Sequence, residues 1–133
     1  MTQQVEKSLR TAFEMLRMAE AELHRPKEDA VTMCTCQSTR NSVREFFHSY
    51  LESKFESVPV DSSLSDLLDQ CAKIDLQFKS VDISCFECKG EDTASCSDIY
   101  CLSNKKVSEC FSKANVIREL VMAKLNIYEK DLT

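Results

Sequence analysis

The side chains of this chain best equipped for chemistry are its thiols. Eight cysteines fall within 133 residues, and four of them stand in one stretch, CFECKGEDTASCSDIYC, from Cys85 to Cys101. Cys85-x2-Cys88, a gap of seven residues and then Cys96-x4-Cys101 make a four-thiolate set. Zinc takes four soft ligands in a tetrahedron, and two closely spaced pairs can supply them. The first pair has the usual spacing. The second is looser, and the gap between the pairs is shorter than in common fingers and ribbons. A second reading competes. Cys85 and Cys88 fall on an apolar helical stripe, as do Cys71 and Cys110, and free cysteine is among the most buried residue types. Core thiols without a cofactor are the favoured reading, and zinc on Cys85, Cys88, Cys96 and Cys101 stays open beside it. Cys34-x-Cys36 is a poorer pair, because thiols two residues apart on a helix point to different faces.

Acid–base candidates are few. The chain has two histidines, His24 and His48, and no Ser-His-Asp arrangement, phosphate-binding glycine loop or paired-carboxylate metal motif. Glu28 and Asp29, or Asp66 and Asp69, suit helix capping and solvent-facing positions. His48 follows Phe47 in a helical pattern and reads as a partly buried helix histidine with a hydrogen bond. If the chain is catalytic, Arg40 or Arg44 with His48 is the set to examine.

The elements that must position these groups are helices. One glycine and two prolines are too few for the turns that strands and hairpins consume. Val5, Leu9, Ala12, Leu16, Ala19 and Leu23 recur at spacings of three and four, with Phe13 beside them, and predict a first helix from about Gln3 to Leu23. Pro26 suits a helix start, and a second helix is expected to about Ser57. Its ends are apolar, with Val43, Phe46, Phe47, Tyr50, Leu51 and Phe55 in the C-terminal half. Its middle, QSTRNS, is polar, and Cys34, Ser38 and Ser42 form a small-residue row that allows close helix approach. Ser63 with Asp66 resembles a capping box ahead of Leu64, Leu67, Leu68, Cys71 and Ile74. That face continues through Phe78, Val81, Cys85 and Cys88 to Gly90, which suits a helix C-cap. Residues 91–102 form a connection. Ser103 caps a last helix carrying Val107, Cys110, Ala114, Ile117, Val121 and Leu125, and the tail from Glu129 frays. The expected fold is all-α: one domain over residues 1–133, an up-and-down antiparallel bundle of four to five helices.

Net charge is −5 and the isoelectric point about 5.1. That argues against a dedicated phosphate-backbone binder, which carries a basic excess, and no DNA partner is expected. No apolar run approaches the roughly 18 residues of a membrane span. Charges run through the first 25 residues, so no signal peptide is expected, and a cytoplasmic location with reduced thiols follows as an expectation.

The order of elements also resembles a known family. AFEMLRMAEAELHR, then CTCQSTRNSVREFFHSYLESK, then SSLSDLLDQCAKIDLQF, and finally KKVSECFSKANVIRELVMAKL are similar to the successive helices of the HEPN domains (higher eukaryotes and prokaryotes, nucleotide-binding). The resemblance covers about residues 8–126. It implies a small helical bundle, commonly a homodimer, often encoded beside a minimal nucleotidyltransferase as toxin and antitoxin. Active members are metal-independent ribonucleases with an Arg-x4–6-His motif in the later helices. Arginine there holds the scissile phosphate and histidine handles the 2′-hydroxyl proton. This chain has no histidine after His48. Arg17-x6-His24 fits the spacing in the wrong helix. Arg40 lies too far from His48 for the motif, and Arg44 too close. Ile99-Tyr100-Cys101 stands where other members carry Arg-Tyr-Pro. The resemblance therefore implies a non-catalytic module that binds a partner protein, a nucleotide or RNA, with an unorthodox ribonuclease and a zinc-stabilised helical protein as alternatives. It also implies a dimer, for which the surplus apolar surface around Phe46 and Tyr50 is the expected interface.

Overall fold

The computed structural model of the chain describes residues 3–24, 32–54, 62–86 and 104–127, with the backbone alone for residues 32–36 and 104–107. The described residues form an all-α bundle without strands. The four helices are α1 (Gln3–Leu23), α2 (Thr32–Ser53), α3 (Leu64–Ile74) and α4 (Asn104–Leu125). Two short 3-10 turns, Leu76–Ser80 and Ser84–Phe86, lie between α3 and α4.

α1 buries the predicted stripe of Val5, Leu9, Ala12, Phe13, Leu16 and Ala19. It packs along α2 in the antiparallel sense. Ser8 near its start donates to Glu52 near the end of α2 at 2.7 Å, and Phe13 meets Phe46 edge-on with centroids 5.4 Å apart. Burial of each such large apolar side chain contributes about 1.5–3 kcal/mol.

α2 is the central helix and packs against α1, α3 and α4. Val43, Phe46, Phe47, Tyr50 and Leu51 are enclosed within the single chain. The apolar surplus expected to serve a dimer at Phe46 and Tyr50 is thus consumed by the chain's own core: Phe46 is 0% and Tyr50 2% exposed. Three short polar side chains, Thr39, Ser42 and Ser49, are also fully buried. Ser42 donates to the Thr39 carbonyl at 2.7 Å and Ser49 to the Glu45 carbonyl at 2.8 Å. Both serine hydroxyls are thereby satisfied by their own helix. Of the expected small-residue row, Ser42 is buried and Ser38 half-buried, while the Cys34 side chain lies outside the described residues. The helix ends at Ser53, short of Ser57. Ser53 Oγ donates to the Tyr50 carbonyl and Lys54 N to the Leu51 carbonyl at 3.0 Å, a tightened last turn. The expected start at Pro26 lies outside the described residues.

Ser63 caps α3 as its sequence indicates, with Oγ accepting from Asp66 N at 3.0 Å. The helix does not continue to Cys88. Asp75 adopts extended backbone angles (φ −139°, ψ 118°), and its carboxylate accepts from Gln77 N at 3.0 Å. Asp82 does the same for Ser84 N at 2.9 Å. A short carboxylate that bonds the backbone two residues ahead offers an alternative to the helical ladder. The result is two 3-10 turns in place of a helical extension. Phe78 folds back from the first turn, fully buried against Phe47 and Tyr50 at 6.3 and 4.7 Å.

α4 presents Cys110, Ala114, Ile117, Val121 and Met122 to the core. Asn126 ends it with φ 56°, the left-handed conformation of a C′ residue. Ile127 N reaches the Met122 carbonyl at 3.1 Å and Asn126 N the Ala123 carbonyl at 3.2 Å, the two bonds of a Schellman closure. The expected caps Gly90 and Ser103 lie outside the described residues.

Candidate functional site

Three features carry polar or reactive groups beyond packing. The first is the polar strip of α2. Arg40, Arg44 and His48 stand at successive turns of this helix, each half-buried. Arg44 Nη1 donates to the Ser62 carbonyl at 2.5 Å and so ties α2 to the entry of α3. His48 lies among carboxylates, with Glu45 three residues before it and Glu52 four after. Burial raises the Glu45 carboxyl above its usual range, the charge of His48 opposes that rise and Glu52 adds to it. Glu52 meanwhile accepts from Ser8 on α1. The fold thus aligns Arg44 and His48 on one face, but commits the guanidinium to a backbone carbonyl and sets the imidazole near Glu45. The other histidine, His24, is exposed at the end of α1 with Nδ1 2.9 Å from the Glu20 carbonyl.

The second feature is the thiols. Cys88, Cys96 and Cys101 of the zinc reading lie outside the described residues. Among the described residues no group of three or more His, Cys, Asp or Glu side chains could hold a metal ion. Cys85 faces Cys110 of α4 instead. Cys110 Sγ donates to the Cys85 carbonyl at 2.9 Å. A hydrogen bond from the Cys110 thiol holds the Cys85 thiol below its ordinary range, against the effect of its burial. Cys71 behaves oppositely. It is 0% exposed, its Sγ lies 3.9 Å from the Phe47 carbonyl, and burial pushes its pKa up to about 12.

The third feature was invisible in the helical pattern. Where α3 breaks at Asp75, a half-open cleft of about 610 Å³ forms between α3 and the first 3-10 turn. Phe78 and Ala72 line its apolar base, with Leu68 beside them. Leu76 lines it while 70% exposed, and neighbouring Ile74 is 39% exposed. Lys73, Lys79 and one acid, Asp69, complete its lining, so cations outnumber anions there by two to one. The turn is braced from α4 by Lys124. Its Nζ lies 2.8 Å from Asp75 Oδ2 and also donates to Gln77 Oε1. The hydrogen bond from Lys124, with that from Gln77 N, holds the Asp75 carboxyl below the usual carboxylate range. The local signal for this cleft was Asp75-Leu76-Gln77, an acid that bonds ahead of itself, followed by an apolar side chain that has no place on the α3 stripe.

No protein-family model matches this chain, and neither a curated protein nor a solved structure matches it. Among the described residues, no helix is long and apolar enough to cross a membrane.

Proposed function

We propose that this chain is an HEPN-like helical module that binds a partner protein at the cleft between α3 and the first 3-10 turn. One observation carries the reading: Leu76, a large apolar side chain, is 70% exposed on a cleft with an apolar base and two lysines to one acid in its lining. Lys73 and Lys79 are basic in a chain whose net charge is −5. The complementary occupant is a segment with an apolar anchor flanked by carboxylates. The anchor removes the exposed Leu76 side chain from water, while the carboxylates meet the two ammonium groups. Family resemblance makes a nucleotidyltransferase the class of protein that would present such a segment, in a toxin–antitoxin pairing. The same resemblance implies a homodimer, and with Phe46 and Tyr50 enclosed, its surface would lie elsewhere on the bundle.

A synthetic peptide with a leucine or phenylalanine anchor between glutamates tests the reading by backbone amide shifts. Shifts are expected at Ala72, Leu76 and Lys79, weakening as salt screens the charges. Leu76→Asp should reduce affinity at least about tenfold, because burial of a leucine is worth about 1.5–3 kcal/mol. Equal binding by Leu76→Asp, or shifts confined to other surfaces, defeats the proposal. Shifts at the cleft with ATP but not with the peptide would make the site a nucleotide site instead.

A further inference from the structure

Cys85 and Cys110 are 25 positions apart in sequence and come together in the fold, away from the cleft. Cys110 projects from α4 and is 3% exposed. Cys85 belongs to the second 3-10 turn and is half-buried, packed against the edge of the core. The bond from Cys110 Sγ to the Cys85 carbonyl, 2.9 Å long, brings the buried thiol to the backbone of its partner. One thiol is therefore open in part to reagents, and the second waits behind it. That asymmetry distinguishes an attacking from a resolving cysteine. Cys71 provides the contrast, fully buried with the Phe47 carbonyl as its neighbour.

We propose that Cys85 and Cys110 form a dithiol–disulfide redox site whose oxidant is a small disulfide of the glutathione class. The thiolate of Cys85 attacks one sulfur of the oxidant, making a mixed disulfide and expelling one small thiolate. The Cys110 thiol loses its proton, and its sulfur attacks Cys85 Sγ, expelling the second thiolate. Two protein thiols are oxidised, and one small disulfide is reduced to two thiols. The bond fastens the second 3-10 turn to α4 and closes a covalent loop over residues 86–109. A reduced small thiol in excess reverses both steps.

The test uses the full chain exposed to oxidised glutathione, alkylated under native conditions and then cleaved after lysine and glutamate. Glu87 separates Cys85 from Cys88 in such a digest. The Cys85 and Cys110 peptides are expected as the main linked pair, and a reduced small thiol should dissolve the link. Cys110→Ser should halt Cys85 at the mixed disulfide, and Cys85→Ser should leave Cys110 reduced. Mapping in the unmodified chain decides the matter even if a variant fails to fold. Cys85 linked to Cys88, Cys96 or Cys101 would overturn the proposal. So would both thiols staying reduced throughout, or a Cys85 that reacts only after a chelator removes bound metal.

Discussion

Raising the pH should destabilise this protein through one buried thiol. Cys71 is fully enclosed, and burial raises its pKa from 9.0 to about 12. The folded chain therefore holds the thiol proton more tightly than the unfolded chain does. Its contribution to stability is complete below pH 9 and falls away as the pH climbs from about 9 towards 12. With an unfolded value of 9.0, raising the pH from 7 to 10 costs RT ln 11, about 1.4 kcal/mol. The full span of three pKa steps corresponds to about 4 kcal/mol, reached only above pH 12. Urea unfolding of the wild type and Cys71→Ala, each at pH 7 and pH 10, isolates this contribution. Tyr50, whose hydroxyl is also raised by burial, is present in both proteins, so most of its effect cancels in the difference. The wild type should lose about 1.4 kcal/mol more than the variant over this range, with unchanged denaturant slopes. Equal losses in the two proteins would show that the Cys71 thiol ionises freely in the folded chain, and the reasoning from burial would fail.

Phe46→Ala should cost about 3–5 kcal/mol, because Phe46 fills a closed core against Phe13; light scattering should give the same mass as wild type, and a halved mass at unchanged stability would place Phe46 between two copies instead. Asn126→Ala should lower the melting temperature by the equivalent of about 1 kcal/mol, and Asn126→Gly should not lower it, because the left-handed C′ position penalises a β-carbon that asparagine partly offsets. Single-stranded and transfer RNA should survive incubation with the purified protein. General acid–base catalysis contributes about 10²–10⁴-fold, so cleavage that disappears in His48→Ala would make Arg40 or Arg44 with His48 a ribonuclease site.

Where one physical signal dominated, the sequence was readable. α1 repeats apolar side chains every three or four residues over 21 positions, and its bounds follow from that pattern. Ser63 announces α3 because its short hydroxyl can bond forward to a first-turn amide just ahead of an apolar run. The pattern misled beyond Ile74. Phe78, Val81 and Cys85 keep helical spacing in sequence, but Asp75 and Asp82 each capture the amide two residues on. Those bonds are local, yet they resemble ordinary helix-surface acids until the fold shows where the carboxylates turn. The cleft at Leu76 exists only because of that break, and a continuous helix over the segment has no such cleft. Cys85 and Cys110 both lay on apolar stripes, but their meeting depends on how the second 3-10 turn reaches α4. The aromatic half of α2 was ambiguous for a different reason. Periodicity shows that a face is buried without showing whether its own chain or a second copy covers it.

The buried hydroxyls of α2 also bear on how the chain folds. Threonine, serine and asparagine are weak helix formers, and they crowd the segment Gln37-Ser38-Thr39-Arg40-Asn41-Ser42 at its centre. Taken alone, this segment would spend little time helical in water. Its ordered backbone is imposed by packing against α1, α3 and α4. The axis of the bundle is thus its least autonomous part. Folding should be all-or-none, with no stable fragment that retains α2 after loss of α1 or α4. Proteolytic shortening at either end would then melt the centre of the molecule along with the missing piece.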